Sequence, residues 1–547
     1  MKIALCQLNF KIADFEGNTR KIISAIDEAK TKGADLAVFS ELAICGYPPL
    51  DMLENADFLE KCEKSIKEIA SHCHGIAALV GTPVINPDEL GKKLYNAVKF
   101  IADGQIKSIH RKCLMPSYDV FDEYRYFEPN TQFELAEYKN ERIAFTICED
   151  LWFNQPVENS YTKQKLYTVS PMDELLKLFP TLMINVASSP FSFTHAEIRK
   201  TVLCENARKY HLPLIYVNQV GANSELIFDG GSMAIDNNGN VISELPYFEE
   251  SLQVIDTEKF VTQQANKEYS VIERMYKSLI LGIRDYFAKT GFSRAVLGLS
   301  GGIDSALVLV LAVEALGKEN VHVLLMPSRY SSQHSLTDAM MLAANLNVTY
   351  DVVPIEPAFR NFEEMLIPVF KGKKPDITEE NIQARVRGTL LMAYSNKFGH
   401  ILLNTSNKSE AAVGYGTLYG DMAGGLSVIG DVYKTQVYQL VNYINSHGEI
   451  IPRNIILKPP SAELRPNQKD SDSLPEYDIL DKILFNYIEQ KMPLEEIVNL
   501  GFEKEMVQKV IRLVNSNEYK RFQTPPVLRI SSKAFGFGRR MPLVAKY

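Results

Sequence analysis

The sequence predicts two α/β domains, residues 1–260 and 261–547, and three observations carry that expectation. At ~100 to 200 residues per domain, a chain of 547 residues exceeds one ordinary core. Short apolar runs alternate with amphipathic stretches through both halves, the pattern of strands and helices in layered α/β folds. All seven cysteines, at 6, 45, 62, 73, 113, 148 and 204, lie in the first half.

In the first domain, residues 2–8 read as a strand. Residues 19–32 place Ile22, Ile23, Ile26 and Ala29 on one helical face before Gly33. Residues 35–40 form a buried strand ending at Glu41, and further strands are expected at 76–82, 94–102, 142–148, 181–187, 213–219 and 251–256. Ala102-Asp103-Gly104 and Asp236-Asn237-Asn238-Gly239 are hairpin turns, which add antiparallel strands to an α/β layer. The polar segment 258–270 marks the boundary. Beyond it come helix 271–290, strand 294–300, helix 305–316 closed by Gly317, strand 321–326, helix 335–346, strand 350–355, helix 379–398 and strand 401–405. Strands alternating with helices predict a parallel, doubly wound sheet. The Pro-rich polar stretch 457–476 reads as an irregular loop.

Hydrophobic residues make up 46% and charged residues 23% of the chain, so disorder and low-complexity polymer are excluded. The 59 Lys and Arg against 67 Asp and Glu give a net charge of −8, with no global basic field for nucleic acid. The basic aromatic stretches around Lys520-Arg521 and Arg539-Arg540 read as an ordered terminus or ligand contact. No apolar run approaches the ~18 to 20 residues of a membrane span, and the N-terminus has no cleavage site. A cytoplasmic protein with small-molecule partners is expected. An odd number of cysteines without Cys-x-x-Cys spacing disfavours disulfide scaffolds and zinc sites.

The most specific motif is Ser300-Gly301-Gly302-Ile303-Asp304-Ser305, set between an apolar strand and an apolar helix. Two glycines let the backbone turn closely around phosphate oxygens, and the helix start supplies free amides and positive potential. The serines can donate to phosphate, and Asp304 is acidic where a magnesium ion could bridge to a triphosphate. The plain alternative is an ordinary strand-to-helix turn capped by Asp and Ser. No Gly-Lys-Ser/Thr follows, so this is not a Walker loop.

In the first half, Cys148 ends the apolar run Arg142-Ile143-Ala144-Phe145-Thr146-Ile147 and precedes Glu149-Asp150. That is the setting of a nucleophile elbow. A thiol with a pKa of ~8.5 needs a base or cation to attack near neutral pH. The other six cysteines read as small buried hydrophobes.

The loop resembles the pyrophosphate loop of enzymes that use ATP to adenylate an oxygen, such as asparagine, GMP and NAD synthetases. Met326-Pro327-Ser328-Arg329-Tyr330, Glu379-Glu380-Asn381-Ile382-Gln383-Ala384-Arg385-Val386-Arg387-Gly388, Asn404-Thr405-Ser406-Asn407-Lys408-Ser409-Glu410, Gly414–Asp421 and Asp431-Val432-Tyr433-Lys434 resemble the NAD synthetase family. Phe39-Ser40-Glu41, Arg111-Lys112-Cys113 and Cys148 recur in the order of the nitrilase and amidase superfamily, specifically the glutaminase domain of glutamine-dependent NAD synthetases. Phe121-Asp122-Glu123 and Asn185-Val186-Ala187-Ser188-Ser189 support it.

The resemblance implies an N-terminal nitrilase-like α-β-β-α sandwich and a C-terminal Rossmann-like doubly wound sheet of the adenine nucleotide alpha hydrolase type. It implies Glu41 as base, Lys112 as oxyanion partner and Cys148 as nucleophile on glutamine, with Tyr118, Glu149 and Ser189 binding that substrate. Ser300, Gly301, Gly302, Asp304, Ser305, Arg329 and Thr405 are implied to bind ATP. Asn381, Arg385, Glu410, Asp421 and Lys434 are implied to meet deamido-NAD, with Asp304 and Glu410 holding Mg2+. Arg385 and Arg387 lie two apart on one helix and point in different directions, and Arg387 is equally readable as an ion-pair partner. Taken alone, Glu410 is a dipole-favoured surface residue and Lys434 a solvated charge. Only His195 precedes Arg199 where relatives carry a basic residue, so the partner of the glutamine carboxylate stays open. The expected reaction forms NAD from deamido-NAD, ATP and glutamine in a homo-oligomer built on a homodimeric synthetase core, with a shielded passage for ammonia. The alternatives are a pyrophosphate-loop ligase with another acceptor, and a nitrilase-type hydrolase fused to a nucleotide sensor.

Overall fold

Alternation of side chains along the first strand sets the layering of the N-terminal half. In Lys2–Gln7, Ile3 and Leu5 join one core, while Ala4 and Cys6 join another on the opposite face. The computed structural model describes residues 1–154, 165–259, 268–466 and 468–545. The chain divides into two units, Met1–Glu268 and Tyr269–Tyr547. The expected boundary at 260/261 lies outside the described residues.

The first unit has two six-stranded sheets. One runs Ser251–Asp256, Lys2–Gln7, Leu36–Val38, Ala77–Ile85, Leu94–Ala102, Gln105–Arg111; the other runs Val241–Glu244, Met233–Ile235, Leu214–Asn218, Leu182–Ala187, Glu141–Ile147, Ala136–Tyr138. A core of Leu5, Val38, Leu79, Phe145, Ile147 and Val186 joins the sheets face to face. Helices Phe15–Thr31 and Ala56–His72 cover the first sheet through Ile22, Ile26, Ile66 and Ile69. Helices Pro171–Leu176 and His195–Tyr210 pack on the second, completing an α-β-β-α sandwich. All seven cysteines are free, and six are buried.

The second unit is a five-stranded parallel sheet ordered Thr349–Val352, Val321–Leu325, Ala295–Gly298, Ile401–Asn404, Leu426–Ser427. The first strand in the chain is central, so strand order reverses beside it, and the crevice past the strand ends is the ligand-binding place of such sheets. Ser270 caps helix Val271–Thr290 by accepting from Glu273 N at 3.2 Å, and Gly291 closes it at φ 83. The strand expected to reach 355 ends at Val352, two residues before Pro354, which has no N–H for the ladder. Helices Ala56–His72, Glu356–Phe370, Lys434–Asn445, Tyr477–Ile488 and Lys504–Ser516 add to the sequence expectation. The last two pack with Ala412 and Val413 in a separate helical core. Among the described residues, no helix is long and apolar enough to cross a membrane.

Candidate active sites

Three strand ends bring together Glu41, Lys112 and Cys148. Glu41 follows Leu36–Val38, Lys112 follows Gln105–Arg111, and Cys148 follows Glu141–Ile147 of the other sheet. Lys112 Nζ lies 2.7 Å from Glu41 Oε1 and 2.9 and 2.8 Å from the two oxygens of Glu123. Lys112 is 0% and Glu41 1% exposed, so their charges are compensated within the protein. Asn96 donates to Glu41 at 2.7 Å, and the Ser188 amide to its other oxygen at 3.0 Å. Tyr47 donates its hydroxyl to Glu123 at 2.8 Å. Gly81 is required beside this loop, since a Cβ there would strike the backbone of Ser40 and Leu42.

Electrostatics fixes the resting protonation. Burial opposes the charge of Lys112, but Glu123 and Glu41 more than offset it and hold the lysine well above its ordinary value. Burial, followed by the charge of Glu41, pushes the Cys148 thiol well above its ordinary range, while Lys112 opposes the shift. Cys148 therefore rests as a thiol, and attack by its sulfur would need a base.

The elbow geometry is visible in the backbone. Cys148 has φ 42, the left-handed region that a non-glycine residue rarely occupies. Asp150 fixes this turn: its carboxylate accepts from Ile147 N at 2.9 Å, Cys113 N at 3.0 Å and Leu114 N at 2.8 Å. One buried group thus ties the nucleophile's turn to the segment after Lys112. Burial pushes its pKa up to about 6 against those three amides.

Glu149 accepts from Tyr118 at 2.9 Å and from Tyr167 at 2.8 Å, and burial pushes it up to about 7. Ser189 donates its amide to Asn218 at 2.9 Å, and its hydroxyl lies 3.4 Å from His195 Nε2. Trp152 stacks on that imidazole with centroids 5.2 Å apart. Arg199 is committed elsewhere, paired with Asp229 at 2.9 Å in the interior. A cavity of about 380 Å³ beside Asp150, lined by His110, Arg111, Asn130 and Glu134, includes none of Glu41, Lys112 and Cys148.

In the second unit, Ser300-Gly301-Gly302 turns between Ala295–Gly298 and helix Ile303–Leu316. Gly301 has φ 79, and a Cβ would collide with the Ser335 backbone. Ser300 Oγ accepts from Gly302 N at 3.2 Å and lies 3.1 Å from Ser305 Oγ. Asp304 accepts from Asn407 Nδ2 at 3.0 Å and from Lys434 Nζ, which lies 3.6 Å from Glu410. Glu410 sits in the first turn of helix Lys408–Val413 in a capping box with Asn407. Burial and then the Asp304 charge hold it above the usual carboxylate range. Burial opposes Lys434, but Asp304 and Glu410 hold it above its ordinary value.

Three neighbouring cavities converge here. One of about 190 Å³ is lined by Ser300, Gly302, Asp304, Ser305, Thr405, Glu410 and Lys434. A second, of about 250 Å³, has walls of Leu299, Leu324, Met326, Leu391 and Leu402 and a polar end of Ser300, Thr405, Arg387 and Asp421. A third, of about 330 Å³, holds Asn381, Arg385, Thr417, Asp421 and Lys520. Asp421 lines all three. Arg329 stands outside them: Glu356 binds it bidentately, and Glu363 lies 3.2 Å away.

Asp304 and Glu410 supply hard oxygen donors suited to magnesium. Among the described residues, no group of three His, Cys, Asp or Glu is arranged to hold a metal, and magnesium held by one or two carboxylates completes its shell with water and substrate oxygens. Two carboxylates beside a phosphate loop fit that division.

A sandwich carrying a buried Glu–Lys–Cys set, and a doubly wound sheet carrying a non-Walker glycine loop, define a two-module α/β protein with a cysteine-centred site in one unit and a glycine-loop site in the other. The carbon-nitrogen hydrolase family model matches residues 2–266 and the NAD synthase model residues 275–524. The glutamine-dependent NAD(+) synthetase of Synechocystis sp. is 46% identical over 554 residues, covering 100% of this chain and 99% of its own. That of Thermotoga maritima is 42% identical, with 100% and 99% covered. A solved structure of glutamine-dependent NAD+ synthetase from Acinetobacter baumannii, in complex with adenosine diphosphate, is 39% identical with a TM-score of 0.79, covering 99% of this chain and 98% of that one. The chain belongs to the glutamine-dependent NAD(+) synthetase family. Its activity is that of a glutamine-hydrolysing NAD synthase, a ligase that forms a C–N bond.

Proposed function

We propose that the first unit releases ammonia from glutamine and that the second uses it to amidate the nicotinate carboxylate of deamido-NAD. Glu41 takes the Cys148 proton as sulfur attacks the side-chain amide, and Lys112 stabilises the oxyanion. Glu41 returns the proton to departing ammonia, leaving a thioester, then activates the water that frees glutamate. Lys112 serves both steps because Glu123, on its other side, keeps it charged and in place. Glu149, held by Tyr118 and Tyr167, receives the substrate's α-ammonium, and Ser189 contacts the same glutamine.

In the second unit, the substrate carboxylate attacks the α-phosphorus of ATP and pyrophosphate leaves. Ammonia then attacks the acyl-adenylate and AMP leaves. The loop amides with Ser300, Gly301, Gly302 and Ser305 hold the triphosphate, and the apolar cavity with Thr405 takes the adenosine. Asn381, Arg385 and Asp421 face deamido-NAD. Asp304 and Glu410 would hold magnesium, which neutralises triphosphate charge when bound, and Lys434 balances those carboxylates. Ammonia passes without equilibrating with external ammonium, because protonation removes the lone pair that attacks. We place the enzyme in the cytoplasm, a reading supported by seven free thiols. We propose a homo-oligomer on a homodimeric synthetase core, supported by exposed Phe362, Met365, Ile367 and Val369.

The observation that carries this reading is the Glu41–Lys112–Cys148 set in one unit together with the Ser300–Ser305 loop in the other, whose Asp304 shares Lys434 with Glu410. The test supplies amide-labelled glutamine, ATP, deamido-NAD and unlabelled ammonium to the full chain. Label retained in NAD, with AMP and pyrophosphate formed in equal amounts, is expected. Formation of ADP and phosphate, or full dilution of the label, would contradict it.

A further inference from the structure

Helix Ile377–Phe398 sends its two neighbouring arginines into different cavities. Arg385 is exposed, donates Nε to Leu418 O at 3.2 Å and lines the cavity of Asn381 and Lys520. Arg387 is partly buried and lines the apolar cavity with Ser300, Thr405 and Asp421. Its Nε donates to Met326 O at 3.1 Å, just past strand Val321–Leu325, which orients the head toward the sheet's ligand-binding edge. Among the described residues, its two terminal nitrogens have no hydrogen-bond or ion-pair partner.

That state contrasts with Arg199, one of several buried arginines. Burial opposes the charge of Arg199, but Asp229 at 2.9 Å raises it above its ordinary value. Among the described residues, no carboxylate lies within ion-pair distance of Arg387, and burial lowers it to about 10 despite the more distant Asp421 and Glu463. Arg387 is half-buried and faces the cavity without a counter-charge, so an anion entering there would both neutralise it and accept from its fork of N–H donors. Phosphate matches that fork in charge and geometry. Arg329, the arginine expected to serve ATP, pairs through Nε and Nη2 with Glu356 and Glu363.

We infer that Arg387 is an anion-binding residue of the nucleotide cavity, gripping a phosphate group of a bound nucleotide through its two terminal nitrogens. The inference rests on the reading of this unit as the ATP-using centre. Two bound species carry such a group, the triphosphate of ATP and the dinucleotide's pyrophosphate, and the same chemistry serves either.

The test uses the full chain with ammonium as nitrogen source, which takes glutamine chemistry out of the readout. Equilibrium binding of ATP and of deamido-NAD is measured separately, with KM and kcat, in wild type, Arg387→Gln and Arg387→Lys. Arg387→Gln is expected to weaken binding of one nucleotide about 10-fold or more, as loss of charge-assisted hydrogen bonds does, with partial recovery in Arg387→Lys. Weakened ATP binding assigns the contact to the triphosphate, and weakened deamido-NAD binding assigns it to the dinucleotide. Unchanged binding of both overturns the inference, even where kcat or melting temperature falls. Failure of the underlying reading looks different, since wild type itself would then release no pyrophosphate from ATP.

Discussion

Lys112 Nζ lies 2.7 Å from Glu41 Oε1, and both side chains are sealed from solvent. Glu123 shares the same ammonium at 2.8 Å, so one cation serves two carboxylates. Lys112→Met would leave those carboxylates facing each other in the interior. Removing one partner of a buried ion pair costs about 3 to 5 kcal/mol. The expected outcome is a lower urea midpoint together with loss of glutamate release from glutamine. An unchanged midpoint would mean that water already reaches the pair.

Cys148→Ala separates the two chemistries. The substitution removes sulfur but none of the hydrogen bonds that Asp150 makes to the turn, so the unit should remain folded. Synthesis from glutamine should vanish while synthesis from ammonium persists, measured as NAD formed at saturating ATP. Persistent glutamine-driven synthesis would remove Cys148 from the reaction.

Glu149 gives a pH signature. In the proposed role the substrate's α-ammonium would need the ionised carboxylate, and burial pushes this group up to about 7. Glutamine binding should therefore strengthen as pH rises through about 7 and weaken below it. Tyr118 and Tyr167 donate to the carboxylate and favour its charged form. Tyr118→Phe and Tyr167→Phe should each move this limb of kcat/KM upward by about one unit, the scale of a hydrogen bond to a charged group. A downward movement would contradict the assignment.

These predictions draw unequally on what the sequence displays. Strands such as Glu141–Ile147 and Ile401–Asn404 are legible because they are short apolar runs with buried side chains throughout most of their length. Glu41, Lys112, Cys148 and the Ser300 loop are legible as motifs at strand ends. Glu123 is not assigned a role from sequence, because it lies in a short turn, Glu123–Arg125, whose place beside Lys112 depends on long-range folding. Tyr167 and Asn96 are hidden for the same reason: their partners are 18 and 55 residues away. For Arg329, the motif gives no sign of Glu356 and Glu363, the first residue of a helix that the sequence reading leaves unassigned and the residue two turns further along it. Arg385 and Arg387 illustrate a finer limit. Their divergence follows from helical geometry, but which cavity each meets depends on Leu418 and Met326.

Lys408 tests how the second centre is held. It is fully buried, bonded to Asp431 at 2.9 Å, Glu489 at 2.8 Å, Ser531 Oγ at 2.8 Å and Lys533 O at 3.0 Å. It stands two residues before Glu410, and Asp431 stands three before Lys434, so this ion pair couples the segments presenting both groups to Asp304. Asp481 adds a second tie, accepting from Ser409 Oγ and, at 2.8 Å, from Thr435 N. Lys408→Met would leave Asp431 and Glu489 buried without their cation, which costs about 3 to 5 kcal/mol. NAD formation should fall alike with glutamine and with ammonium, unlike in Cys148→Ala, and the urea midpoint should drop. Asp481→Asn keeps the shape and one acceptor, so it should lower stability less while still reducing kcat. If Lys408→Met kept a wild-type midpoint and rate, the geometry of Glu410 and Lys434 would have to be fixed by the Asp481 tie and the capping box at Asn407 without the ion pair.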